Sequence, residues 1–498
     1  MIYVIGAGMK RLKEIIIYGS GQRGRGLYTL LRDCDINIKY VIDTNDKKWN
    51  SPFYDTQISK PDNLLEDSET PICIAIAKEE DSAQVRARLH MEYAVTEDRE
   101  IRYFDLLRDL YRLNENIQNA LQEKVSLGRP QIIFECDYGL GLGGIEAWTK
   151  SICSELILDG RDNIHIISDA GNYDIPSILN DNVVMLPINH DEMFGTGTIT
   201  AIIQFLLQQL PCVVVTGQFY VTLLAACLVK QHYPDQIRIV STIHFGQEAL
   251  YRQYASVNAY VDRFIGVSRE ITEGLERYGV ETCKIDHMTC PVKCEEVLER
   301  NYASNPTQPI KLGFAGRVNA KQKRMDLIPA FVEELDRRKV NYCLEIAGEG
   351  DYYEKLRTYI AGNGLKDRIK LLGRLEREEI SDFWKKQDIC LSLSDYEGRS
   401  ISIMEAMANG AVPVVTATSG VREDITDGEN GYIVQIQDIG KLAERVAALE
   451  QHRDILMTMG EKAHDSICPK CRMQDHLWFW NEILDKNIEV VCKRCPGI

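Results

Sequence analysis

Glu397 and Glu405 stand eight residues apart in the run Glu397-Gly398-Arg399-Ser400-Ile401-Ser402-Ile403-Met404-Glu405. The run follows DICLSLS, which has the length and composition of a buried parallel strand, and AMANG comes after it. Glu397 thus falls in a loop at the carboxyl end of a strand, where open α/β sheets bind ligands. Glu405 falls inside the next helix, whose first turn aims backbone N–H groups into the same crevice. Carboxylates so placed can hold a sugar or a ribose by its hydroxyls; two solvated carboxylates on a helix edge would show the same spacing. Upstream, IKLGFAG ends at Gly316-Arg317, and Lys323 follows six residues after Arg317. Two cations at a strand tip suit a diphosphate, because each gives charge-assisted hydrogen bonds to phosphate oxygens.

Four other constellations could carry chemistry. Gly143-Gly144 closes the glycine-rich stretch DYGLGLGG after strand QIIFEC and starts a helix, so its N–H groups can face phosphate or merely begin a turn. Strand EIIIY leads into Gly19-Ser20-Gly21-Gln22-Arg23-Gly24, a helix, and a second strand ending at Asp43. That order fits a nucleotide fingerprint, with phosphate at the helix start and ribose on Asp43; it equally fits a scaffold whose glycines only pack helix on strand. Cys468-x2-Cys471 and Cys492-x2-Cys495 have the spacing of a four-thiolate structural zinc site, although the residues between them read as an amphipathic helix. Cys283, His287, Cys290 and Cys294 form a fourth, irregularly spaced group.

The elements that must position these residues follow one pattern. Short apolar runs recur: EIIIYG, IKYVID, PICIAIA, QIIFEC, NIHIIS, CVVVTG, IRIVSTIH, RFIGVS, IKLGFAG, YCLEIAG, RIKLLG, DICLSLS and VPVVTA. Most are followed by a helical pattern, which predicts α/β units with parallel sheets covered on both faces. The boundaries expected are 1–112 for a small Rossmann-like unit, 130–298 and 308–470 for two larger ones, and 471–498 for a final helix. The segment NYASNPTQP reads as a linker.

The residues of the third unit, with CLEIAGEGDYYEKL, RIKLLGRLEREEI and GAVPVVTATSGVREDITDGENGYIV, resemble the retaining glycosyltransferases of family four, the glycosyl transferases of group 1. The resemblance covers about residues 131–485. It implies a GT-B fold, two facing Rossmann-like domains, here preceded by a small Rossmann-like domain similar to those on some glycan-assembly enzymes. It further implies that Arg317 and Lys323 neutralise the donor diphosphate, Glu405 takes the ribose, and Glu397 and His244 lie by the donor sugar. Gly143, Gly144 and the backbone of Ser400 and Ile401 would touch sugar or phosphate, and the base would lie near Gly373. Ser400 replaces a glycine common in the family, Arg399 is a departure that would influence donor choice, and Ser268 is expected to pack or cap. By the same resemblance the final helix crosses back onto the second unit. The donor would be a UDP- or GDP-sugar, with no cofactor needed for catalysis and no metal in the active site. The acceptor would be a glycan or a lipid-linked glycan, and the protein would be cytoplasmic, peripheral to the inner membrane face.

Composition narrows the rivals. The chain has 498 residues, 45% hydrophobic and 27% charged, enough for several cores. A net charge of −16 argues against nucleic acid as a partner. The longest apolar stretch, Cys212 to Val229, is broken by Gly217 and Gln218 and reads as strand then helix instead of a membrane span. Other readings are a GT-B-like sugar-nucleotide epimerase or hydrolase, and a non-catalytic sugar-nucleotide sensor.

Overall fold

The computed structural model describes residues 12–494, apart from 77–78, 124, 142, 172, 218–220, 299, 304 and 306. Its strands form three sheets of six, seven and six strands. All thirteen apolar runs become strands. The others, Pro52–Phe53, Thr56–Ser59, Glu100–Ile101, Val183–Met185, Ile285–His287 and Tyr432–Val434, occupy outer positions of their sheets. They are only two to four residues long, too short to show a periodicity.

The second and third sheets are wholly parallel. In each, the first strand in sequence lies in the middle and the chain then builds outward on both sides. In the second sheet, Gln131–Cys136 pairs with Ile164–Ser168 on one side and Cys212–Thr216 on the other. In the third, Ile310–Ala315 pairs with Tyr342–Ala347 and with Ile389–Ser392. Each central pair is a topological switch point, where diverging connections leave a crevice at the strands' carboxyl ends. The two crevices meet. A methyl group on Gly144, after the second sheet's first strand, would stand 3.8 Å from Ile401 of the third unit.

The first unit does not sit apart. Helices Tyr103–Leu113 and Glu115–Leu121 bury Leu106, Leu107, Leu110, Tyr111, Ile117 and Leu121 in a core continuous with that of the second unit. Tyr111 donates to the Phe194 carbonyl at 2.8 Å, and Asn114 to Thr196 at 3.1 Å.

The last helix, Met473–Arg494, returns to the second unit. Trp480 is 1% exposed, its ring 5.4 Å from that of Trp148 and 6.1 Å from that of Phe134. Arg161 ties the helix down through Asn481 (2.7 Å) and Asp485 (2.8 Å). This geometry corrects the zinc expectation. The helix is unbroken between Met473 and Cys492, a span of about 28 Å at 1.5 Å per residue. Cys468 and Cys471 precede its start, so Cys492 cannot share a metal ion with them; Cys495 lies outside the described residues. Trp480→Ala is expected to cost about 3–5 kcal/mol, read as an earlier thermal transition. Trp478→Ala, at a position 68% exposed, should stay within about 0.5 kcal/mol of the parent.

Candidate functional site

Gly316, at φ +152, turns the chain out of strand Ile310–Ala315 into the loop bearing Arg317, Asn319, Gln322 and Lys323. Asn319 Oδ1 accepts from the backbone N–H of Gln322 and of Lys323, both at 3.0 Å. The loop is thereby folded back toward the end of the neighbouring strand, Ile389–Ser392. There Lys323 Nζ donates to Glu397 Oε1 at 2.6 Å, and Ser394 Oγ donates to the same oxygen at 2.7 Å. Gln322 Nε2 donates to Glu397 Oε2 at 3.4 Å, and Arg317 donates to Gln322 Oε1 at 3.0 Å. The side chains of Lys323 and Glu397 are 12% and 8% exposed. Two opposite charges held this far from water are positioned by their partners and not by solvent.

Ser400 caps helix Ile401–Ala408 without a side-chain cap bond, which leaves the first-turn N–H groups free to receive an anion. Ser402 Oγ, donating to the Ala315 carbonyl at 2.7 Å, fixes that helix to the tip of the central strand. Glu405 lies in the helix and makes no side-chain hydrogen bond among the described residues. Burial pushes its pKa up to about 7, against a pull downward from Arg377. Arg377 itself donates across the cleft to the Ala147 carbonyl (3.3 Å) and Ser151 (2.8 Å).

From the other half comes His244, just past strand Ile237–Ile243. Its ring meets that of Trp148 edge-on at 4.9 Å. Burial lowers its pKa to about 3, so the imidazole is neutral, and Nε2 has no partner among the described residues. The His244 carbonyl lies against Gly398: a methyl group there would come within 1.5 Å of the carbonyl oxygen. Only glycine permits this approach, and it brings His244 next to Glu397. Gly143 caps helix Gly144–Leu158, and the Glu146 carboxylate lies against it: a methyl on Gly143 would fall 1.9 Å from Glu146 Oε2. Gly373 ends strand Ile369–Gly373 at φ +70 with open space beside its α-carbon, and its carbonyl accepts from Gly348 at 2.6 Å. Lys323 and Glu397 of the third unit thus stand near His244 of the second, and Ile401 near Gly144.

The other expectations divide. Arg399 faces away from the crevice: its guanidinium is bound to Asp424 and to the Val267 carbonyl. That removes it from donor choice by contact. Ser268 is a helix cap, its Oγ accepting from Ile271 N–H at 3.3 Å. In the first unit, Asp43 accepts from Ser20 N–H (3.1 Å), Ser20 Oγ, Asn45 N–H (3.0 Å) and Lys48 (3.0 Å). Burial alone would raise its pKa, but these bonds hold the carboxyl below its ordinary range. A methyl on Gly24 would fall 1.9 Å from the Gly19 carbonyl oxygen, so this glycine packs helix on strand, as both alternatives require. Cys283 is exposed, Cys290 is buried and His287 faces Glu423 at 3.6 Å. Among the described residues no group of three or more His, Cys, Asp or Glu could hold a metal ion.

Asn319, Gln322, Ser394, Trp148 and Arg377 were not singled out from the sequence. Asn319 and Gln322 stand between Arg317 and Lys323, and a loop that must return its lysine to a neighbouring strand needs such a turn-forming side chain. Ser394 ends the alternating serines of LSLS. Arg377 acts across the cleft, and Trp148 meets His244 from a separate element of the second unit; neither left a local signal.

Two Rossmann-like sheets facing at their switch points, joined by a returning C-terminal helix, make this a GT-B protein with an added N-terminal Rossmann-like domain. Its fold superposes on Anabaena HepE, solved in complex with UDP, with a TM-score of 0.57 at 15% identity, over 72% of this chain and 100% of that one. Residues 298–466, about a third of the chain, match the family model described as glycosyl transferases group 1. A Bacillus subtilis poly(glycerol-phosphate) alpha-glucosyltransferase is 28% identical over 209 residues, 41% of this chain. The match spans only 30% of that relative's length. A Bacillus anthracis N-acetyl-alpha-D-glucosaminyl L-malate synthase is 23% identical over 265 residues, 50% of this chain and 68% of that protein. No helix among the described residues is long and apolar enough to cross a membrane.

Glu405 gives the ligand-free protein a pH signature. Its pKa is about 7 in the folded state against an ordinary 4.5. As pH rises, the unfolded chain loses this proton first, so stability falls between about pH 4.5 and 7 and levels off above. The loss is up to about 3 kcal/mol. Glu405→Gln should flatten that slope in denaturant titrations run from pH 5 to pH 8, and should be the more stable of the two proteins at pH 8.

Proposed function

We propose that the protein is a retaining glycosyltransferase of the hexosyltransferase type. It moves a sugar from a nucleoside-diphosphate sugar to a glycan or lipid-linked acceptor in surface polysaccharide or glycoconjugate assembly. The observation that carries the reading is the buried Lys323–Glu397 pair at the third sheet's switch point, with Arg317 two hydrogen bonds away through Gln322 and helix Ile401–Ala408 starting four residues after Glu397. Arg317, Lys323 and the N–H groups at Ser400, Ile401, Gly143 and Gly144 receive the diphosphate. As the glycosidic bond breaks, they face the negative charge that develops on the leaving group, and donors already in place stabilise it without reorganising. Glu405 takes the ribose hydroxyls, and the base lies in the open space at Gly373. Glu397 and neutral His244 flank the sugar, His244 Nε2 being available to one of its hydroxyls. The acceptor comes from the second unit. The linkage called alpha in the names of both relatives, the polymer acceptor in one of them, and the UDP bound by the structural neighbour support this assignment.

The test is a panel of UDP- and GDP-sugars offered without added divalent metal. A nucleotide present at a hundred times its dissociation constant should stabilise the protein by about 2.7 kcal/mol. Arg317→Ala with Lys323→Ala should abolish that response. Glu397→Gln should lower kcat roughly 100-fold or more while free nucleotide still binds, and NMR of the product should show the donor's anomeric configuration retained. An inverted product, or an undiminished kcat in Glu397→Gln, would sink the assignment.

A further inference from the structure

Arg399 stands between Gly398 and Ser400, inside the loop that carries Glu397 and starts the helix of Glu405, yet it points out of the crevice. Its side chain is 3% exposed. Nε and Nη2 donate to the two oxygens of Asp424 at 2.9 and 2.5 Å, and Nη1 donates to the Val267 carbonyl at 3.1 Å. Asp424 belongs to the third unit and Val267 to the second. One planar guanidinium therefore spans the seam between the halves, which a lysine ammonium at the end of a flexible stem does not reproduce.

The neighbouring contacts repeat the arrangement. Glu423, beside Asp424, lies 3.6 Å from Arg399 and accepts from the Arg269 N–H at 2.5 Å, capping helix Arg269–Arg277 of the second unit. Ser419 donates to Glu270 at 2.9 Å. A methyl on Gly420 would fall 2.5 Å from the Gly398 carbonyl oxygen, so this seam presses directly on the loop. Separating the halves would strip Nη1 of its acceptor and Glu423 of its helix start together, leaving buried polar groups unpaired.

We propose that Arg399 is a positioning residue: its fork between Asp424 and the Val267 carbonyl couples closure of the two halves to the shape of the Glu397–Ile401 loop. The sugar-side geometry is complete only when the cleft is shut. The proposal rests on the reading of this cleft as a donor site, and its conformational half is measured without turnover. Arg399→Lys keeps a cation for Asp424 and gives up the fork. It should remain folded by circular dichroism and show a larger radius of gyration in solution scattering than the parent. It should bind UDP within about threefold of the parent, because the groups expected to hold the diphosphate are untouched. A misplacement of the order of 1 Å should lower kcat roughly 100-fold, with little change in donor KM. Glu423→Gln, which weakens the same seam and leaves the Arg399–Asp424 pair, should give the same split and serves alone if Arg399→Lys does not fold. Unchanged compaction, unchanged kcat, or a UDP affinity that falls in step with kcat would each overturn the proposal. A parent protein that transfers no sugar at all would defeat the transferase reading, and the scattering comparison would then decide the role of Arg399.

Discussion

The close approach of Gly398 to the His244 carbonyl is the constraint around which the rest is arranged. A side chain at that position would drive the halves apart, and the groups of the cleft are useful only together: cations and a carboxylate from the third unit, a neutral histidine and a glycine-rich helix start from the second. The contact is bare backbone on backbone and supplies little cohesion of its own. Cohesion comes from around it, from Arg377 reaching Ser151, Arg399 reaching Val267 and Glu423 reaching Arg269. Charged groups are suited to such a seam. They hold when their partners are present and are costly to bury when those partners move away.

The same physics governs the interior of the cleft. Lys323 and Glu397 neutralise one another while no ligand is bound, so neither has to be buried alone. In the proposed reading, an arriving diphosphate would offer Lys323 a second anion. Glu405 has no such partner, and burial raises its pKa to about 7, so that near neutral pH a large share of it is uncharged. Ribose hydroxyls would supply the donors that a carboxylate there lacks.

Much of this was legible in the sequence because parallel strands buried on both faces are written as continuous apolar runs, and every such run became a strand. The Glu397–Glu405 block, Arg317 and Lys323 were legible for a related reason: they follow those runs immediately, so the strand ends place them. What local pattern could not carry was anything made across the cleft or along the full length of an element. Arg399 looked like a donor-site variation because its partners, Asp424 and Val267, are 25 and 132 residues away. The zinc reading counted residues between cysteines without the rise of the helix that separates them. Asp43 had the right interval for a ribose ligand, but interval says nothing of Ser20 and Lys48 already bonded to it. The break drawn after residue 112 followed polarity, whereas the apolar faces of the helices on either side of it join the second unit's core.

The returning helix bears on how the chain is made. Trp480 completes a layer with Trp148 and Phe134, residues that leave the ribosome more than 300 positions earlier. During synthesis the second unit must wait, with that layer open to water, while the whole third unit is produced. Domains usually fold as they emerge; here the third unit can close its own core first, and the second is sealed last by a segment that it did not encode. A stalled or truncated nascent chain would display an aromatic-lined groove on the second unit, a surface by which quality-control machinery could tell an unfinished molecule from a finished one.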